Sequence, residues 1–252
     1  MDIQVFVFNY AHFDQAMSLF NSFTGLGYDT YLLNCQSPHD PPFEATNKIL
    51  KFPNIYYTGQ WNEALRLANK EVLFLINADV KVKNPAKLMR RMHNFFTQFG
   101  NRAGIYAPNF YWTPWTFNPQ LLPHLGDNVR RVPMTDSTVW AISTPLAMKT
   151  GEIPLSVNRL GWGIEIVAAY YASLENLLVV KDFGIKLEHP HETAYDRGHA
   201  DRQFRTWIDK LHLGQAFWDY YDTRDRYEFG WMGDDEPPTD DEEKPARQIL
   251  LA

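Results

Sequence analysis

One cysteine in 252 residues, Cys35, excludes an internal disulfide and leaves a thiolate zinc site without a second sulfur ligand. Any metal must then sit on oxygen or imidazole donors. Long hydrophobic runs are missing too: no stretch of about 18 apolar residues occurs, so no segment reads as a membrane span. The opening MDIQVFVFNY reads as a strand rather than a cleavable leader, and a cytoplasmic location is the resulting expectation. An excess of positive charge is the third absence. The formal net charge is −6, of which residues 234–247 carry −5, from seven carboxylates against Lys244 and Arg247. The remaining body is near −1, which neither demands nor excludes a polyanionic partner. That segment, GDDEPPTDDEEKPARQ, lacks apolar material to offset its ordering entropy, so 233–252 is expected to form a disordered acidic tail.

Hydrophobic residues make up 45% of the chain and aromatics 15%, enough for a sizeable core. IQVFVF (3–8) and LFLI (73–76) are nearly continuous apolar runs, as in strands covered on both faces of a parallel sheet. Phe13, Met17, Phe20 and Phe23 follow one helical face, and Gly25 and Gly27 supply the stop before a strand, YDTYLL (28–33). NIYYTG (54–59) reads as a further strand leading into a short helix, WNEALRLANK (61–70). Asn84 and Pro85 cap a helix whose apolar stripe is Leu88, Met92, Phe95 and Phe99. This alternation predicts an open α/β sheet that binds ligands beyond the carboxyl ends of its strands. Residues 106–124 are too rich in proline and aromatics for a helix and read as a long loop. STVWAI (137–142) and NLLVVK (176–181) read as strands around a helix at 163–174, with more helix to about residue 222. No linker or repeat divides 1–232, so one domain is expected, 1–100 forming one half and 101–232 the other.

Three stretches carry chemistry. LFLINADVKV (73–82) ends a buried strand on one carboxylate, Asp79, where such a sheet puts its ligands. A carboxylate there suits a divalent ion bridging a diphosphate, and it equally suits a turn or helix cap. LGWGIEIVAAYYA (160–172) sets Gly161 and Gly163 around Trp162, a tight loop open to close ligand approach, with Glu165 at the start of an apolar helix. The helix dipole favours a charged Glu165, whether as cap or as functional acid. KLEHPHE (186–192) carries His189 and His191 just past a short strand, GIKL, each a candidate imidazole ligand and each compatible with a plain loop. Asp136 precedes a strand as a turn residue or a hydroxyl acceptor. Trp112 and Trp115 offer flat faces for stacking on a sugar or base, or pack their loop on the sheet. Arg197, Arg202 and Arg205 suit phosphate oxygens or a solvated helix face.

The order VFVFNY (5–10), LLNCQSP (32–38), WNEALRLA (61–68) and VLFLINADVKVKNP (72–85) resembles the nucleotide-sugar-binding half of GT-A glycosyltransferases, especially family-2-like enzymes. NAD, Asn77 to Asp79, is similar to that family's D-x-D strand end with Asn replacing the first acid, and LGWGIE to its G-W-G-x-E/D segment. The resemblance implies a Rossmann-like open mixed sheet flanked by helices and a nucleoside-diphosphate sugar donor. It implies Mn2+ or Mg2+ on Asp79 and His189, with His191 as the rival ligand. Donor contacts would come from Asn9, Asn34, Asn62, Asn77, Asp79, Trp162 and Gly163, although NCQSPHD (34–40) departs from the family's D-x-x-S form. Glu165 becomes the base of an inverting hexosyl- or pentosyltransferase, and Trp112, Trp115 and Asp136 face the acceptor. That acceptor is a glycan or another hydroxyl compound, a hydroxylated DNA base among them, which Arg130 and Arg131 would suit. The competing classes are a noncatalytic nucleotide-sugar or glycan-binding module and a nucleotidyltransferase. Against the latter, VFNYAHFD has no Gly-rich basic phosphate loop.

Overall fold

The computed structural model describes residues 1–38, 40–110, 117–190 and 196–226. Its first half runs β1 (Ile3–Tyr10), α1 (Phe13–Gly25), β2 (Asp29–Cys35), β3 (Ile49–Phe52), α2 (Tyr56–Leu67), β4 (Val72–Asn77) and α3 (Pro85–Phe99). There follow β5 (Ala103–Phe110), the short β6 (His124–Gly126) and β7 (Val129–Arg131), β8 (Val139–Ser143), α4 (Thr144–Thr150) and α5 (Ile164–Leu174). The described chain ends with β9 (Leu178–Leu187), α6 (Arg197–Leu211) and α7 (Gly214–Tyr221), then a 3-10 turn.

The nine strands among the described residues form one mixed sheet in the order β3-β2-β1-β4-β8-β5-β9-β7-β6. β1 is parallel to β2 and β4, while β8 lies antiparallel between β4 and β5. Two antiparallel steps restore direction, so β5 and its parallel neighbour β9 point the same way as β4. The carboxyl ends of β1, β4, β5 and β9 and the amino end of β8 therefore share one edge of the sheet.

The apolar runs are continuous because both faces are covered. Phe6, Phe8, Leu73 and Leu75 enter a core shared with α2, α5 and α6. Val5, Val7, Phe74 and Ile76 enter a second core against α1 and α3. α3 starts as its sequence dictates: Asn84 Oδ1 accepts from the Lys87 amide at 2.9 Å, and Pro85 fills the first turn, where no amide donor is needed.

Four segments differ from expectation. The strand expected at 54–59 is not there; β3 is at 49–52 and α2 begins at Tyr56. Asn54 Oδ1 accepts from the Tyr56 amide and Tyr56 has φ 56°, a sharp turn that brings Tyr57, Trp61 and Leu65 onto one core-facing stripe. Burial of that stripe overrides the β preference of the tyrosines. The loop expected at 106–124 begins as β5, inside the sheet between β8 and β9. Pro108 fits there because the β5–β9 register breaks directly after it. β6 and β7 form an unexpected hairpin whose turn has positive φ at Gly126, Asp127 and Asn128. GIKL is the end of the longer β9, and not a strand of its own. The expected acidic tail lies outside the described residues.

Candidate active site

β4 stops where its ladder runs out. The Asn77 amide donates to Thr138 O at 3.0 Å and the Ala78 amide to Phe8 O at 2.8 Å, after which the chain turns and presents Asp79 at the shared edge. β9 arrives from the other half. Beyond its last residue the Lys81 amide donates to Glu188 O at 2.9 Å, an isolated antiparallel bridge that ties the two strand ends together. The bulge of three residues in β9 opposite Pro108 and Asn109 bends this strand before it reaches the bridge.

As a result Asp79 Oδ2 lies 3.4 Å from His189 Nε2, with the two side chains 26% and 17% exposed. Burial opposes both charges, but each is outweighed by its neighbour. The hydrogen bond and charge of His189, with the charge of His12, hold the Asp79 carboxyl below its usual range. Asp79, with Asp136 farther off, raises the His189 imidazole above its ordinary value. Asp79 Oδ1 and His189 Nδ1 are buried without a hydrogen-bond partner among the described residues. Adjacent donors on an octahedral ion stand about 3.0 Å apart, for metal–ligand bonds of roughly 2.1 Å. A carboxylate and an imidazole separated by 3.4 Å fit a shared divalent ion of the Mn2+ or Mg2+ kind. No group of three His, Cys, Asp or Glu suited to a metal occurs among the described residues.

Glu165 stands in the first turn of α5 and is 7% exposed. Its approach loop is folded by Asn158, whose side chain accepts from the Gly161 amide and donates to Trp162 O. Gly161 and Gly163 are required twice over. Both have positive φ, and a Cβ would come within 2.5 Å of Tyr57 Cδ1 at the first and 2.1 Å of Phe204 Cδ2 at the second. Tyr57 donates to Ser137 O at 2.7 Å, and burial, with the charges of Glu165 and Asp136, pushes its hydroxyl pKa up. Tyr57 thus sits between α5 and the turn before β8. In that turn Asp136 Oδ1 accepts from the Thr138 amide at 2.7 Å, and the Asp136 charge reaches His189 and Lys181.

No family model and no curated protein matches the sequence. Solved structures do match the fold. GalNAc-T7 with UDP, GalNAc and Mn2+ superposes with a TM-score of 0.56 at 10% identity, over 88% of this chain and 50% of that one. Glucosyl-3-phosphoglycerate synthase of Mycobacterium tuberculosis, bound to Mn2+, UDP and glucosyl-3-phosphoglycerate, gives 0.52 at 13% identity, over 84% of this chain and 80% of that one. A mannosyltransferase from Pyrobaculum calidifontis with GDP-Man and Mn2+ gives 0.51 at 12% identity, over 84% and 64%. The chain adopts the GT-A fold. It spans about half the length of the GalNAc-T7 chain it matches.

In this GT-A sheet the other expected residues separate into two groups. Asn9 and Asn34 are buried at the ends of β1 and β2 and bonded to each other; Asn34 also donates to Asp40 Oδ2, which accepts from the Ser37 amide. They line the same GT-A edge as Asp79, together with Asn77. Asn62 does not join them. Its amide group is bonded at both ends to the Ile153 backbone, at 2.8 and 2.9 Å, and so fastens α2 to the chain entering the glycine loop. Trp112, Trp115 and His191 lie outside the described residues. The α6 arginines form a solvated face, with Arg205 paired to Asp201 at 2.8 Å and Arg202 to Asp196 at 3.9 Å. Tyr57 and Asn158, which hold the glycine loop, and the buried Lys181 are not marked out by the sequence. Tyr57 was hidden in an apparent strand and Lys181 in an apolar one, and only the polar contacts of Asn158 distinguish it from any loop asparagine.

Proposed function

We propose that this protein is a metal-dependent glycosyltransferase that moves a hexosyl or pentosyl group from a nucleoside-diphosphate sugar to an acceptor hydroxyl. The observation that carries the reading is the meeting of Asp79 and His189 at the carboxyl edge of a GT-A sheet. These two residues would hold Mn2+ or Mg2+, which when bound supplies charge neutralisation for the departing diphosphate. Residues 1–100 would then bind the donor, with Asn9, Asn34 and Asn77 along the nucleotide side. Residues 101–232 would form the acceptor side. The UDP, GDP-Man and Mn2+ of the similar structures support such a donor and cofactor.

Glu165 is assigned as the base. It would take the proton of an acceptor hydroxyl attacking opposite the leaving diphosphate, giving inversion. It stands in the first turn of α5, buried from bulk water, at the end of the glycine loop. Trp162 and Gly163 would shape the sugar pocket and Asp136 would accept from a hydroxyl of the acceptor. The acceptor itself is a glycan or another hydroxyl compound such as a hydroxylated DNA base, reached in the cytoplasm.

Asn77 in place of an acid favours one other reading, a GT-A module that binds nucleotide sugars or glycans without turnover. Hydrolysis of UDP- and GDP-sugars by the full chain with Mn2+ separates the two. Metal-dependent release of nucleotide supports the transferase; donor binding without release supports the module.

A further inference from the structure

The start of α2 is tied to three separate segments around the site. Gln60 Oε1 accepts from the Asn9 amide at 2.8 Å, at the carboxyl end of β1 on the nucleotide side. Thr58 is buried and donates its hydroxyl to Asn158 O at 2.5 Å and its amide to Arg159 O at 3.4 Å, in the stretch that leads into Gly161. Tyr57 donates to Ser137 O at 2.7 Å and accepts from Trp140 Nε1 at 3.3 Å, so its hydroxyl is fixed in direction. The next carbonyl along that turn, Thr138 O, accepts from the Asn77 amide at 3.0 Å, where β4 ends and Asp79 is delivered. The turn before β8 is thus held by Tyr57 on one side and by the end of β4 on the other. The Tyr57 ring is placed as firmly as its hydroxyl. It stands edge-on to Phe8 at 5.2 Å and fills the space a Cβ on Gly161 would need, 2.5 Å from its Cδ1. Glu165 follows Gly161 by four residues, and its charge acts on the Tyr57 hydroxyl. Directly before Tyr57, Tyr56 holds φ 56° without being glycine, a conformation that persists only where the surroundings over-determine it.

We infer that Tyr57 is a positioning residue of the transfer reaction, setting the glycine loop, and with it Glu165, against the turn that backs the end of β4. It acts through these two segments, because its one hydroxyl proton is held by Ser137 O. In Tyr57→Phe the ring keeps its place between Phe8 and Gly161, while Ser137 O and Trp140 Nε1 lose this partner and the turn can shift against the loop. A misplacement of about 1 Å between reacting groups costs on the order of 10²-fold in rate. The inference rests on the transferase reading and deepens it, since it names what holds the base and the metal-site strand end in register.

The test measures Mn2+-dependent release of nucleotide from UDP-glucose, UDP-GalNAc and GDP-mannose by the full chain, in the wild type, Tyr57→Phe and Thr144→Val. Thr144 controls for lost stability alone: its hydroxyl donates to Lys70 O at 2.6 Å, just before β4 and so at the end of the sheet away from the site. The expected result is a fall in kcat of about ten- to a hundredfold in Tyr57→Phe with donor KM unchanged, while Thr144→Val keeps both constants. Unchanged kcat in folded Tyr57→Phe, an equal fall in both variants, or a raised KM at normal kcat would overturn the inference. No release from any of the three donors by the wild type would overturn the transferase reading, and this inference with it. Should Tyr57→Phe not fold, Thr58→Val, which removes the bond to Asn158 O from the same turn of α2, decides by the same split between kcat and KM.

Discussion

Gly163 stands against the ring of Phe204: a Cβ on that glycine would lie 2.1 Å from Phe204 Cδ2. The contact fixes how the glycine loop enters α5 and therefore where Glu165 is held. Gly163→Ala adds left-handed strain to a clash with a buried ring, and a loss of about 2–5 kcal/mol is expected. Gly25→Ala, at a position with open space and ordinary φ, should be neutral or slightly stabilising. Urea midpoints of the two variants check the contrast; equal midpoints would remove the packing role of Gly163.

Asn62 gives a second contrast. Its replacement by Ala strands both the amide and the carbonyl of Ile153, which should cost about 2–4 kcal/mol. Donor affinity of the folded variant should stay unchanged. A variant of normal stability with weakened donor binding would restore Asn62 to the donor site.

The role of Glu165 is read by Glu165→Gln. This variant keeps shape and donor affinity while the rate of transfer falls on the order of 10²-fold or more. A normal rate would reduce Glu165 to a helix cap.

The Asp79–His189 pair makes stability depend on pH in the metal-free protein. His189 is raised above its ordinary 6.5, so its contribution is fully present below that pH and fades as pH rises through its folded value. Asp79 is lowered below its ordinary 3.8, so its contribution is present above that pH and fades on further acidification. The stabilisation relative to the Asp79→Asn, His189→Gln double variant should therefore be greatest between about pH 4 and 6.5, with melting curves as the check. Mn2+ must displace the imidazole proton, so its apparent affinity should climb as pH rises past 6.5. A flat affinity across that range would exclude imidazole from the ligand set.

Much of the fold was legible because period and capping agree with tertiary burial. β1, β4, α1 and α3 combine two-sided apolar runs, an amphipathic stripe and the Asn84–Pro85 cap. The 54–59 segment misled because aromatic residues favour strands unless a neighbouring turn and a buried stripe decide otherwise. At the site, Asp79 was legible from its strand end, but its partner was not fixed by spacing. The Lys81–Glu188 bridge, more than a hundred residues apart in sequence, helps bring His189 to it. Asn62 and Lys181 carry the opposite lesson. A polar residue in a motif-like helix fastens a loop, and a lysine at the end of an apolar run is buried in the sheet near Phe110 and Phe117.

The central claim is that Asp79 and His189 share one divalent ion. Electron paramagnetic resonance of Mn2+ titrated into the full chain with UDP measures it directly. The account predicts one tightly held ion per chain in the wild type, and a loss of affinity of about 10- to 100-fold or more in both Asp79→Ala and His189→Ala. Undiminished Mn2+ binding by either variant would contradict it.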